Sequence, residues 1–247
     1  MSVDLHSHVL HGIDDGPPRL EGSIDILRAA RDDGISRIAA TPHVRDDHPT
    51  RPEQMEAGVD ELNALDLGVE VLRGGELDVE YASRLDDETL RRFGLGGNPS
   101  LLLLEFPYVG WPLRLRELVF DLTVRGYTLL LAHPERNREV QADPERLREL
   151  VDAGVFVQLT ATSVDGRLGG RTAACARTLL GSGLAHVLAS DAHAPSIRAV
   201  GLQAAADALG DAALAEWLTS AVPAALVAGE APPARPTRRG RRFLRRV

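Results

Sequence analysis

Seven short apolar, β-branched runs recur along the chain, at 3–5, 35–40, 69–72, 101–104, 128–132, 155–159 and 185–189. Their starts lie 27 to 34 residues apart. Each has the length of a buried strand. Between them, apolar positions return at helical spacing: Leu20, Ile24, Leu27 and Ala30; Leu113, Leu118, Val119 and Leu122; Leu147, Leu150 and Val151. Gly34, Gly68, Gly126, Gly154 and Gly183 each stand just before the next run, where a glycine closes a helix. Strands alternating with helices predict parallel pairing through right-handed crossovers. The near-constant period favours a barrel over an open sheet, with seven units where the usual barrel has eight. The alanine-rich stretch 199–228 reads as helical and closes the body.

In such a barrel, chemistry sits at the C-terminal ends of the strands. His6 and His8, then Asp14 and Asp15, follow the first run. His43 follows the second, Glu76 the third, Glu105 the fourth and His133 the fifth. Thr160 ends the sixth, and Asp191 and His193 follow the seventh. A histidine pair or a lone glutamate would mean little by itself. Glu105 directly after four leucines means more, because a buried carboxylate is costly without a cation or a hydrogen-bond partner. Imidazole and carboxylate without cysteine suit manganese, iron or zinc. The candidates exceed what one ion requires, so two or three ions are implied, an arrangement common in phosphoester hydrolysis. His11, His48 and His186 fall outside the pattern, with His186 read as a packed strand residue.

Composition removes other chemistries. All 28 basic residues are arginine, which excludes Schiff-base lysines and the P-loop lysine. The single cysteine, Cys175, has glycine six positions on, so the motif of cysteine-dependent phosphatases is missing. Its surroundings read as a helix burying a small thiol. No apolar run exceeds five residues, against about 20 for a membrane span. The opening residues lack the basic and apolar regions of a secretory signal. Net charge is −8, but residues 235–247 carry seven arginines and no acid, leaving −15 on the rest. An acidic body with 4% aromatics does not suit nucleic acid. The Pro/Arg-rich basic tail, 231–247, is expected to be disordered. It is either a solvated end or a weak contact to an anionic membrane surface or acidic partner.

These motifs resemble the PHP superfamily (polymerase and histidinol phosphatase). More narrowly, His-Ser-His-Val-Leu-His-Gly-Ile-Asp-Asp-Gly at 6–16, Ala-Thr-Pro-His at 40–43, Glu-Phe-Pro at 105–107, His-Pro-Glu-Arg-Asn at 133–137 and Ser-Asp-Ala-His at 190–193 resemble the CpsB-type bacterial protein-tyrosine phosphatases. The resemblance implies a distorted (βα)7 TIM-like barrel over 1–230, holding three divalent ions, usually manganese. It implies His6, His8, Asp15, His43, Glu76, Glu105, His133, Asp191 and His193 as ligands, with Arg136 and Arg198 holding phosphate. It further implies attack by a metal-bridging hydroxide without a phosphoenzyme. The implied substrate is a phosphotyrosine protein, a membrane-associated bacterial tyrosine autokinase controlling capsule or exopolysaccharide synthesis, reached from the cytoplasm. Two departures stand out. His11 occupies a frequent proline position, and the loop Val44-Arg45-Asp46-Asp47-His48 differs from the usual second histidine. Two other readings keep the same metal face: a PHP phosphatase for a small phosphoester such as histidinol phosphate, and a non-catalytic, metal-stabilised partner-binding module. A PHP-type nuclease or pyrophosphatase is disfavoured by the acidic body.

Overall fold

The computed structural model describes residues 2–194 and 199–237. Ten strands form: β1 (Ser2–Ser7), β2 (Ile35–Ala40), β3 (His43–Arg45), β4 (His48–Pro49), β5 (Glu70–Leu72), β6 (Glu76–Asp78), β7 (Leu101–Glu105), β8 (Thr128–Leu131), β9 (Phe156–Thr160) and β10 (Val187–Ala189). Seven of them coincide with the seven apolar runs to within two residues at either end. The fold is mixed α/β with parallel sheets. One sheet has the order β1-β2-β5 and the other β10-β9-β8-β7-β6-β3-β4, with only the β3–β4 hairpin antiparallel. Leu101 to Leu104 are all buried, as expected of a parallel strand covered on both faces.

The three extra strands have a local cause. After β2, Thr41 and Pro42 interrupt the ladder; Pro42 has no N–H to give, and its carbonyl accepts from Glu76 N at 3.1 Å. After β5, the chain turns through Gly74 and Gly75. A Cβ on Gly75 would lie 2.7 Å from Phe93 Cδ1, so a side chain there would collide with a packed ring. Past these bends β3 pairs with β6, setting His43 opposite Glu76. The two sheets meet where His8 N donates to Ala192 O and Asp191 N to His6 O, both at 2.8 Å.

Helices follow the predicted spacing at Leu20–Asp32 and Leu115–Val124. Gly34, Gly68, Gly126, Gly154 and Gly183 all have positive φ. Leu113 departs from its pattern: it precedes the helix and is 97% exposed. Cys175 is buried in helix Gly170–Gly181, and burial pushes its thiol up to about 12. Residues 199–228 hold helices Leu202–Leu209, Ala212–Glu216 and Val222–Ala228. The tail differs from expectation over 231–237. Trp217 Nε1 donates to Pro233 O at 2.8 Å, and Arg235 donates to Leu180 O and Ala185 O at 2.6 and 3.2 Å, so this stretch lies against the body. Residues 238–247, most of the basic tail, lie outside the described residues. No helix among the described residues is long and apolar enough to cross a membrane.

Candidate metal centre

The strand ends bring His6, His8, Asp15, His43, Glu76, Glu105, His133, Asp191 and His193 into four overlapping groups. These are His8, Asp15, His43 and His193; His6, Glu76 and His133; His6, His8 and Asp191; and His43, Glu76 and Glu105, with the donor atoms of each group within 4.8 Å of one another. All nine are buried except Asp15, whose side chain is 42% exposed. Arg198 lies outside the described residues.

Their hydrogen bonds decide what the imidazoles offer. His6 Nδ1 lies 3.1 Å from Gln158 Oε1, which also accepts from His133 N. His8 Nδ1 lies 2.6 Å from Asp14 Oδ2. Each Nδ1 donates to its oxygen acceptor, which turns Nε2 toward the carboxylates; against burial, Glu76 and Asp191 push the His6 imidazole up, and Asp14 pushes His8 well up. The two Nε2 atoms stand 3.3 Å apart. His8 Nε2 is also 3.2 Å from Glu76 Oε2 and 3.4 Å from Asp191 Oδ1. Imidazole nitrogens and carboxylates converging in a buried volume need positive charge among them, which imidazole protons or metal ions can supply. His43 Nδ1 and Glu76 Oε2, 2.9 Å apart, make no hydrogen bond. The donor set fits divalent ions, and a polar partner behind each metal-facing imidazole is the usual support of such sites.

The electrostatics agree. Burial, reinforced by Glu76, pushes the Glu105 carboxyl well up. Burial also opposes ionisation of Glu76, but His6 and His133 outweigh it and hold the group well down. Asp191 is likewise held down, against its burial, by Arg136 and His6. Burial and then Arg136 hold His133 at about 4, so it is neutral at neutral pH and available as a ligand. Asp14 is kept at about 2: burial resists ionisation, and His8 overrides it.

Backbone strain collects here too. Among the described residues, the only non-glycine residues with positive φ are Asp66, His133 and Asp191. Such conformations cost about 1–3 kcal/mol each and are typical of functional sites.

Arg136 sits at the edge of the centre. Its Nη2 is 2.5 Å from Asp191 Oδ2 and donates to Thr160 Oγ1 at 2.9 Å. Its Nη1 donates to the Tyr108 hydroxyl at 3.3 Å, and its buried Nε has no hydrogen-bond partner. Arg45, not singled out from the sequence, reaches Glu105 Oε2 at 3.4 Å. Sequence reading also missed the supporting Gln158 and left Asp14 without a role. Gln158 had a signal, a lone amide inside an apolar strand. Asp14 had none beyond its neighbour Asp15. Of the histidines set aside, His186 is only part-buried, before β10 rather than within it, and accepts from Val157 N at 3.1 Å.

Fold and site together define a class: an α/β protein that gathers histidines and carboxylates at one end of its parallel strands, in groups that could hold metal ions. The chain belongs to the capsular polysaccharide synthesis CpsB/CapC family, whose model matches residues 2–218. It is 35% identical over 196 residues to the tyrosine-protein phosphatase YwqE of Bacillus subtilis, covering 77% of each chain. It is 34% identical over 197 residues to CapC of Staphylococcus aureus, covering 77% of this chain and 76% of that one. A chain from the crystal structures of YwqE from Bacillus subtilis and CpsB from Streptococcus pneumoniae, described as unique metal-dependent tyrosine phosphatases, superposes with a TM-score of 0.85 at 30% identity. The match covers 96% of this chain and all of that one.

Proposed function

We propose that the protein is a metal-dependent protein-tyrosine phosphatase acting in capsule or exopolysaccharide synthesis. The observation that carries this reading is the convergence of imidazole nitrogens and carboxylates, nearly all buried, in four overlapping groups. Three divalent ions, most simply Mn2+, would be held by His6, His8, Asp15, His43, Glu76, Glu105, His133, Asp191 and His193. Such ions supply Lewis acidity that activates water and neutralises phosphoryl oxygens. Arg136 turns one edge of its guanidinium to Asp191, and its Nη1 side toward Tyr108 receives phosphate oxygens; the planar fork suits that task. Arg198 joins it by motif position. Burial of the donors keeps bulk water from screening these interactions. A tyrosine leaving group, of pKa about 10, needs less protonation than an alkoxide.

The bridge between Ser7 and Ala192, with β2–β3 and β5–β6 as bent strands, supports a closed (βα)7 barrel. The order is then β1, β2/β3, β5/β6, β7, β8, β9, β10 and back to β1. The protein substrate is a membrane-associated bacterial tyrosine autokinase, met in the cytoplasm, and the Arg-rich tail adds weak contact with an anionic membrane surface.

The test is phosphate release from a phosphotyrosine peptide and from histidinol phosphate, using metal-stripped protein with and without Mn2+, with bound metal measured on the same samples. Manganese-dependent turnover favouring the peptide is expected. Turnover of histidinol phosphate alone would make this a small-ester phosphatase, and metal binding with neither activity would make it a binding module.

A further inference from the structure

A cleft of about 730 Å³ opens on the same rim as the metal centre, between the connections that follow β6 and β7. Val79 and Arg84 line one wall; Pro107, Trp111, Pro112 and Leu115 line the other. The first wall continues the strand that opens with Glu76, and the second continues the strand that ends in Glu105. The Tyr108 ring, next in the chain to Pro107, lies 5.8 Å from the ring of His133, so one residue separates this wall of the cleft from the centre.

This connection shows apolar surface the fold does not use. Leu113 is 97% exposed, Val109 58% and Tyr108 46%. Such a group at the mouth of a site marks a contact surface. The loop that carries it is also pinned. Asn137 Nδ2 donates to Pro107 O and Gly110 O at 2.7 and 2.8 Å, and Arg138 N donates to Tyr108 O at 2.9 Å. Glu139 Oε2 accepts from Gly110 N, and Trp111 packs edge-on against Phe106. The segment doing this pinning includes Arg136's immediate neighbours. A surface held this way loses little freedom on binding. The two cations lining the cleft are already engaged, Arg84 by Asp46 and Arg114 by Glu117, which leaves the apolar side chains as its main contact surface, with the carboxylates of Glu80 and Asp121 beside them.

We propose that this cleft receives the polypeptide flanking the phosphotyrosine, and that it selects substrates with a large apolar side chain a few residues from that tyrosine. The proposal rests on the phosphatase reading. An extended chain advances about 3.3 Å per residue, so a neighbour two or three positions away reaches the cleft while the phosphotyrosine is in the centre. A small phosphoester spans no such distance.

The test compares kcat/KM for three substrates: phosphotyrosine itself, a phosphotyrosine peptide with leucine and phenylalanine flanks, and the same peptide with serine flanks. The proteins are the wild type and Leu113→Asp, a change at a position that packs against nothing. The wild type is expected to prefer the apolar peptide by about tenfold, through KM, the scale of burying one apolar side chain. Leu113→Asp loses most of that preference, keeps its rate on phosphotyrosine, and Leu113→Met restores the preference. Equal kcat/KM for the two peptides, or a preference that survives Leu113→Asp, overturns the proposal while leaving the phosphatase reading intact. A wild-type dimer dispersed by Leu113→Asp with peptide kinetics unchanged overturns it in favour of a second copy on this patch. Absence of turnover on every phosphotyrosine compound removes the reading and the proposal together.

Discussion

The two ends of the same parallel strands treat buried polar groups in opposite ways. At the N-terminal ends the accounts close internally. His186 accepts from Val157 N, Arg235 donates to the carbonyls of Leu180 and Ala185, and Trp217 donates to Pro233 O. At the C-terminal ends, His6 and His8 are fixed from behind by Gln158 and Asp14, and their other nitrogens converge on each other and on carboxylates. Backbone strain at His133 and Asp191 falls at this end as well. One end is complete as a protein. The other gathers groups that could hold metal ions.

The sharpest way to break this contrast is to remove a group at the C-terminal ends. His43→Ala is expected to lower bound metal and kcat/KM together, by more than the roughly 100-fold loss typical of a supporting partner. Full turnover with full metal content would show that the converging set is not the centre. A change one step behind should cost less. Asp14→Asn leaves every proposed ligand in place but removes the charge that strengthens the hydrogen bond to His8 Nδ1, weakening the hold on the ring. Metal affinity, measured by titration against a competing chelator, should fall by about 10- to 100-fold. No change would mean that His8 is oriented by the fold alone.

The complete end yields the smallest effect, read in stability. Burial, and then Arg235, hold His186 at about 4 in the folded protein, below the roughly 6.5 of the unfolded chain. The unfolded state therefore binds more protons between these values. The stability in question is present above about pH 6.5 and declines as pH falls toward 4, by about 2 kcal/mol at pH 5. His186→Gln should flatten that part of the profile, as seen in denaturant midpoints at pH 7 and pH 5, without changing metal content. An equal slope in both proteins would mean that His186 is already protonated when folded.

The strands were legible because period and apolarity are local: 35–40 was read from the sequence and is β2 to the residue. The short β3 and β6 were not, because their existence depends on bends at Pro42 and Gly74–Gly75 and on pairing with each other across 33 residues. Leu113 misled because its spacing fits a helix that begins only two residues later. The nine proposed ligands were visible by their position after the strands, whereas Arg45, at the end of β3, was not. Nor was the division of labour in the Asp14–Asp15 pair. It depends on Asp14 turning inward to His8 while Asp15, half-exposed, faces His43 and His193. Residues 231–237 misled because composition registers proline and arginine but not that Arg235 has two carbonyls and a Trp217 ring to meet.

By itself the sequence determined the alternation of strand and helix, the end of the strands at which chemistry gathers, and the kind of donor gathered there. These follow from chain-local periodicity and from residue type. Tertiary structure alone decided which imidazole nitrogen faces inward, which aspartate supports and which converges, and that an apolar cleft opens beside the centre. Each of those depends on groups far apart in the chain, such as His6 and Gln158, arriving within hydrogen-bond distance, and hydrogen-bond direction exists only once both partners are in place.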